Sequence, residues 1–186
     1  MKRKEFLKRT VQMGMAAGSL ALLPSAAAPR PAGPGQEQKK DAQEEFKKKF
    51  KDAWIATLME NMEQKLEPAE RVELMEACGR ACARRGPLIK LADSCRGDVK
   101  KLVEGMAGFL GKEGCSLEGN VVHLGYPKCF CELVADGPER LPEVYCHCSE
   151  GWIKEMFETA AQKKVHVQTL QTVKRGASSC KFLITV

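Results

Sequence analysis

From Phe46 onward, apolar side chains recur every four residues. Phe50, Trp54, Leu58, Met62 and Leu66 follow, Ile55 and Met59 thicken the stripe, and Pro68 stops it. This period predicts a helix beginning near Asp41. A step of four against a turn of 3.6 residues rotates the stripe by about 40° each time, which suits oblique packing better than a straight coiled coil. Pro68 then opens a second helix carrying Val72, Met75, Cys78 and Cys82 on one face, ended by Arg84-Arg85-Gly86-Pro87. A third runs from an Asp98 cap through Val99, Leu102, Val103, Met106 and Leu110 to Gly111.

Beyond Gly111 the period shortens towards two. Val121, Val122, Leu124 and Tyr126 read as a strand, as do Cys129 to Val134 and Val144 to Cys148, with Gly137-Pro138 as the turn between the last two. Ser149 caps an expected helix carrying Trp152, Ile153, Met156, Phe157 and Ala160. Two closing strands, Val165 to Val173 and Cys180 to Val186, have alternate apolar faces and turn through Arg175-Gly176-Ala177. Helices first and mostly antiparallel strands later, with one helix between the strand pairs, predict an α+β domain over residues 41–186. No internal repeat and no phosphate-binding loop is present.

Residues 1–28 have a basic head, an apolar stretch from Val11 to Leu23 and a small-residue exit, Ser25-Ala26-Ala27-Ala28. They are expected to be an export signal, because the apolar stretch falls short of the roughly 20 residues that cross a bilayer. The run Arg3-Lys4-Glu5-Phe6-Leu7-Lys8 resembles a twin-arginine signal with Lys4 in the second arginine position. Residues 29–40, rich in Pro and Gly and then Gln and Lys, read as a flexible linker. An exported, periplasmic or extracytoplasmic protein with no stable membrane span after signal removal is therefore expected.

Composition changes the picture in two ways. The formal charge of +6 is concentrated in the signal, where five Lys or Arg stand against one Glu, so the remainder carries only +2 with its signs interleaved. A nucleic-acid partner is not expected from such a distribution. The other point is nine cysteines in 186 residues. Cys129 and Cys131 are two apart, as are Cys146 and Cys148, so in strands each pair puts both sulfurs on one face. A hairpin folded between Pro138 and Glu139 sets Cys129 opposite Cys148 and Cys131 opposite Cys146. Four thiols at cross-strand spacing suit one metal ion or cluster.

Cys78 and Cys82, one helical turn apart, either add two thiolates or are core cysteines. Cys95, Cys115 and Cys180 are expected to pack or to form disulfides. Three readings of the hairpin sulfurs stand side by side: a tetrathiolate site for zinc or an iron–sulfur cluster, disulfides of an exported protein, or a redox pair centred on Cys148 at the start of a helix. His123, His147 and His166 show no triad-like or His-x-x-x-His spacing and read as structural.

The segment from Cys146-His147-Cys148-Ser149-Glu150-Gly151-Trp152 through Phe157-Glu158 and Val165-His166-Val167 to Gly176-x-x-x-Cys180-x-Phe182-x-Ile184 resembles a known superfamily. It is similar to 4-vinyl-reductase-like small-molecule-binding domains and to L-2-amino-thiazoline-4-carboxylic acid hydrolase-like proteins. Cys78-Gly79-x-x-Cys82-Ala83 and Tyr126-Pro127-x-Cys129-x-Cys131 add a likeness to a cysteine-rich bacterial branch of that group. The resemblance implies helices against an antiparallel sheet and a small-molecule ligand. The leading expectation is an exported metal- or cluster-binding domain with a sensing, redox or small-ligand role. The alternatives are a hydrolase of a small cyclic amide-like or thiazoline substrate, implied by the resemblance only, and a disulfide-stapled binding module.

Overall fold

The computed structural model describes residues 34–131, 133–134 and 141–186. The export signal, residues 29–33 of the expected linker and the Gly137-Pro138 turn lie outside the described residues. The chain divides into the units Met1–Lys39 and Lys40–Val186. The elements in order are α1 (Pro34–Lys65), α2 (Pro68–Arg85), α3 (Ile89–Ser94), α4 (Val99–Leu110), β1 (Cys115–Glu118), β2 (Val121–Tyr126), a 3-10 turn (Glu143–Cys146), α5 (His147–Ala161), β3 (His166–Gln171), a second 3-10 turn (Val173–Arg175) and β4 (Cys180–Thr185). The α+β class, with helices before the strands and one helix between the strand pairs, is borne out. The described sheet is antiparallel in the order β1-β2-β4-β3, which makes β1 and β3 its edges.

One face of the sheet is apolar. Val122 and Leu124 of β2, Val167 of β3, and Cys180, Phe182 and Ile184 of β4 are buried there against Leu102, Val103 and Met106 of α4 and Ile153, Met156, Phe157 and Ala160 of α5. The opposite face presents His123, Lys181, His166 and Gln168 to solvent, the alternation of a one-sided antiparallel sheet. Cys95, Cys115 and Cys180 are free and buried, so the packing alternative holds for all three. Asp98 caps α4 as expected, its carboxylate accepting from the Lys101 N–H at 2.9 Å. Asp98→Ala is expected to cost about 1 kcal/mol in a denaturant titration, and Asp98→Asn much less.

Two elements depart from expectation by their bounds: α1 already begins at Pro34, inside the stretch read as linker, and α5 begins at His147 rather than after Ser149. A larger departure concerns the stripe on α1. Ile55, Met59 and Met62 are buried in a second apolar cluster with Met75, Val134, Leu141, Val144 and Tyr145, whereas Phe46, Phe50, Trp54 and Leu58 are exposed. The drift explains the difference: from Phe46 to Met62 the rotation accumulates to about 160°, so the two ends of the stripe face nearly opposite ways.

Candidate thiol site

Two glycines bring α2 and α5 into backbone contact. A Cβ on Gly79 would lie 1.9 Å from the carbonyl oxygen of Cys148 and 2.8 Å from the Trp152 nitrogen, and one on Gly151 would lie 2.0 Å from the carbonyl oxygen of Glu76. Only glycine fits at either point. Ion pairs flank the crossing: Arg80 with Glu158 at 2.9 Å and with Glu155 at 3.3 Å, Arg84 with Glu155 at 2.8 Å, and Lys154 with Glu76. Cys78 and Cys82, which flank Gly79 in α2, are both exposed free thiols, so the reading of them as core cysteines is corrected.

Burial is the largest single influence and opposes ionisation of Glu158, yet Arg80 and Lys164 together hold the carboxyl below its ordinary 4.5. A lowered folded pKa gives stability that is present above about pH 4.5 and is lost as the pH falls through the folded value. Arg80→Met is expected to cost about 1 kcal/mol at neutral pH, with the difference from the parent shrinking below pH 4 in acid titrations followed by circular dichroism. A difference that stays constant into strong acid would contradict this.

The remaining candidate sulfurs come from two further segments. After Tyr126 the chain leaves the sheet, because β2 already has β1 and β4 as neighbours and its last pair is Tyr126 with Cys180. Cys129 and Cys131 sit in the irregular stretch that follows, and Cys131 Sγ lies 3.1 Å from the Tyr145 hydroxyl. Cys129, Cys131 and Cys148 all rest against the cluster formed by Ile55, Met59, Val144 and Tyr145. Cys146 is buried and lies 3.1 Å from the Thr172 hydroxyl. Cys180, facing Tyr126 across the ladder, accepts from the Val173 N–H at 3.4 Å.

The strand reading of both Cys-x-Cys pairs is therefore corrected. Cys129 and Cys131 lie in irregular backbone, and Pro142 precedes a 3-10 turn that runs directly into α5, so Val144 to Cys148 is helical. At about 100° per residue, positions two apart on a helix point nearly opposite ways. Cys146 accordingly meets Thr172, while Cys148 is turned towards other thiols. Burial pushes the Cys148 thiol up to about 12, and the neighbouring Cys131, Cys82, Cys78 and Cys146 add to this in that order. The Cys146 thiol is likewise raised, first by burial and then, against the Thr172 hydrogen bond, by Cys129.

Among the thiols, Cys131 acts most strongly on Cys148 and Cys129 on Cys146, the reverse of the hairpin pairing. All six candidate residues, Cys78, Cys82, Cys129, Cys131, Cys146 and Cys148, are nevertheless linked in one electrostatic neighbourhood. All nine cysteines are free. Among the described residues no three Cys, His, Asp or Glu side chains converge as the ligands of one ion. Burial favours the neutral Cys148 thiol, against a redox pair centred on a Cys148 thiolate.

Sequence reasoning missed Gly79 and Gly151 as the crossing point, and Tyr145 and Thr172 as partners of sulfur. A glycine within an otherwise helical pattern was the available signal for the first two. His123 pairs with Glu118 at 3.6 Å on the exposed side of the sheet. His147 engages Glu150 at 3.1 Å in the first turn of α5.

No helix among the described residues is long and apolar enough to cross a membrane. No curated protein matches the chain. Residues 36–186 match the family described as "Family of unknown function (DUF6144)", and this span takes in every helix and strand of the sulfur neighbourhood. The chain belongs to that family.

Proposed function

We propose that this protein is an exported domain that binds a soft metal ion, zinc, or an iron–sulfur cluster through thiolates drawn from Cys148, Cys131, Cys82, Cys78, Cys129 and Cys146, in a sensing or redox role. One observation carries the reading: thiols from three separate segments, α2, the stretch after β2 and the start of α5, lie near enough to Cys148 to oppose its ionisation electrostatically. A hydrophobic core has no need of such a gathering, and thiolates without a cation repel one another. Burial favours the neutral thiol at Cys148 and Cys146; metal binding would displace those protons and draw the sulfurs to ligand distance. Tyr145 and Thr172, hydroxyls within reach of Cys131 and Cys146, supply the hydrogen bonds to sulfur that orient ligands and tune a bound metal.

The hydrolase reading ranks lower. Cys146, the thiol next to His147, has Thr172 as its hydrogen-bond partner and is pushed towards the protonated form by burial, the opposite of an activated nucleophile. The test is elemental analysis and thiol counting on protein purified without oxygen. Stoichiometric zinc or iron, with at least three thiols protected from alkylation until a chelator is added, is expected. Neither metal nor protected thiols after supply of zinc or of iron and sulfide would overturn the reading.

A further inference from the structure

One side of α1 is anchored and the other is bare. Ile55, Met59 and Met62 are buried against Met75, Val144 and Tyr145, whereas Phe46, Phe50, Trp54 and Leu58 are 68, 64, 58 and 40 % exposed. All of them belong to the unit that begins at Lys40. The exposed four make one row about 18 Å long, and the rings of Phe46 and Phe50 already stack with their centroids 6.3 Å apart. So continuous an apolar row marks an interaction surface, unlike apolar residues scattered singly.

Area and charge name the occupant. At about 200 Å² for a whole aromatic side chain, the exposed parts of these four amount to roughly 450 Å² on one copy. Two such rows covering each other remove about 900 Å² from water, and the neighbours Gln43, Ala53, Thr57 and Asn61 bring the contact to about 1,200 Å², where specific interfaces begin. Between Lys40 and Lys65 six lysines stand against six acidic residues, so this stretch has no net pull towards an anionic surface. Lys47 and Lys49 are already engaged by Glu44 and Glu45 of the same helix.

The middle of the exposed face, Phe50, Ala53, Trp54 and Thr57, is uncharged. At a two-fold axis each side chain lies close to its own copy, so an uncharged centre suits self-association. A row of residues four apart is also the ridge that two helices interdigitate when they cross at roughly 50°. Ala53 and Thr57, small beside Phe50 and Trp54, leave the groove that such a ridge enters.

We propose that the Phe46–Leu58 face of α1 binds the same face of a second copy, giving a symmetric dimer with its two-fold axis near Ala53 and Trp54. The surface lies on the side of α1 away from the apolar cluster that meets the candidate thiols, and its test needs no bound metal.

Sedimentation equilibrium of the full chain, under reducing conditions so that no intermolecular disulfide contributes, is expected to show a dimer dissociating in the micromolar range. Phe50→Glu combined with Trp54→Glu should weaken it at least about 100-fold, while the circular dichroism stays that of the parent because both side chains are exposed. Phe109→Glu, at another exposed ring near the end of α4, should leave the dimer intact. Ala53→Glu and Ala53→Lys should each weaken it about tenfold by setting like charges together at the axis, and an equimolar mixture of the two should recover it. The proposal is overturned by a chain that stays monomeric at ~100 μM, by a Phe50→Glu, Trp54→Glu protein that dimerises as the parent does, or by Ala53 variants whose mixture is no tighter than either alone. A monomer that sediments with phosphatidylglycerol vesicles through Phe50 and Trp54 would overturn it in favour of a lipid surface.

Discussion

Gly79→Ala is expected to lower stability by about 2 kcal/mol and to reduce metal uptake in the same protein. The added methyl would stand 1.9 Å from a backbone oxygen, which no rotamer change relieves, so α2 and α5 must separate. Overpacking of this kind costs about 1–3 kcal/mol or more, against which alanine's better helix propensity returns at most about 1 kcal/mol. Gly151→Ala meets the Glu76 backbone at 2.0 Å and should behave alike. Gly108→Ala is the control: it is also helical but has nothing within 4 Å of the new Cβ, and it should stabilise by up to about 1 kcal/mol. Thermal melts of the three variants, with zinc content measured on each, check the whole set. A Gly79→Ala protein as stable as the Gly108→Ala one would mean that the close helix crossing does not exist in solution.

Zinc affinity is expected to rise steeply with pH, and Cys148→Ser to lower it by at least about 100-fold. The sign follows from the thiol itself. Burial raises Cys148 to about 12, so at neutral pH the metal must displace a proton from it, and raising the pH lowers the cost of doing so. Each displaced proton contributes roughly a tenfold change in apparent affinity per pH unit. Competition against a chromophoric chelator between pH 6 and 8, together with calorimetry in buffers of different ionisation heat, counts those protons. Cys115→Ala is the informative comparison. Its thiol is also raised by burial, to about 11, but it belongs to the core between sheet and helices, and its loss should cost stability without changing affinity. Affinity independent of pH, or retained in folded Cys148→Ser, would contradict the thiolate site.

The start of α2 at Pro68, the Asp98 cap, the strand over Val121–Tyr126 and the closing antiparallel pair were legible because each is set by neighbours in sequence. Caps and prolines act within one turn, and alternation over five or six residues reports a one-sided sheet directly. β1 and the short α3 escaped because four to six residues carry too little periodic signal. The α1 stripe misled for the opposite reason. Its residues were real apolar positions, but their spacing carried them off the buried face.

The sequence by itself determined that nine cysteines exist, that six fall in three close pairs, and that helices precede an antiparallel sheet. Tertiary structure alone decided how those pairs meet. The spacing of Cys146 and Cys148 is compatible with strand or helix, and in the fold the 3-10 turn after Pro142 continues into α5, turning the two sulfurs apart. Likewise, nothing local to Gly79 says what approaches it. That contact joins residues some seventy positions apart, and only the backbone of α5 pressing into the space left by a missing side chain brings Cys78 and Cys82 beside Cys148.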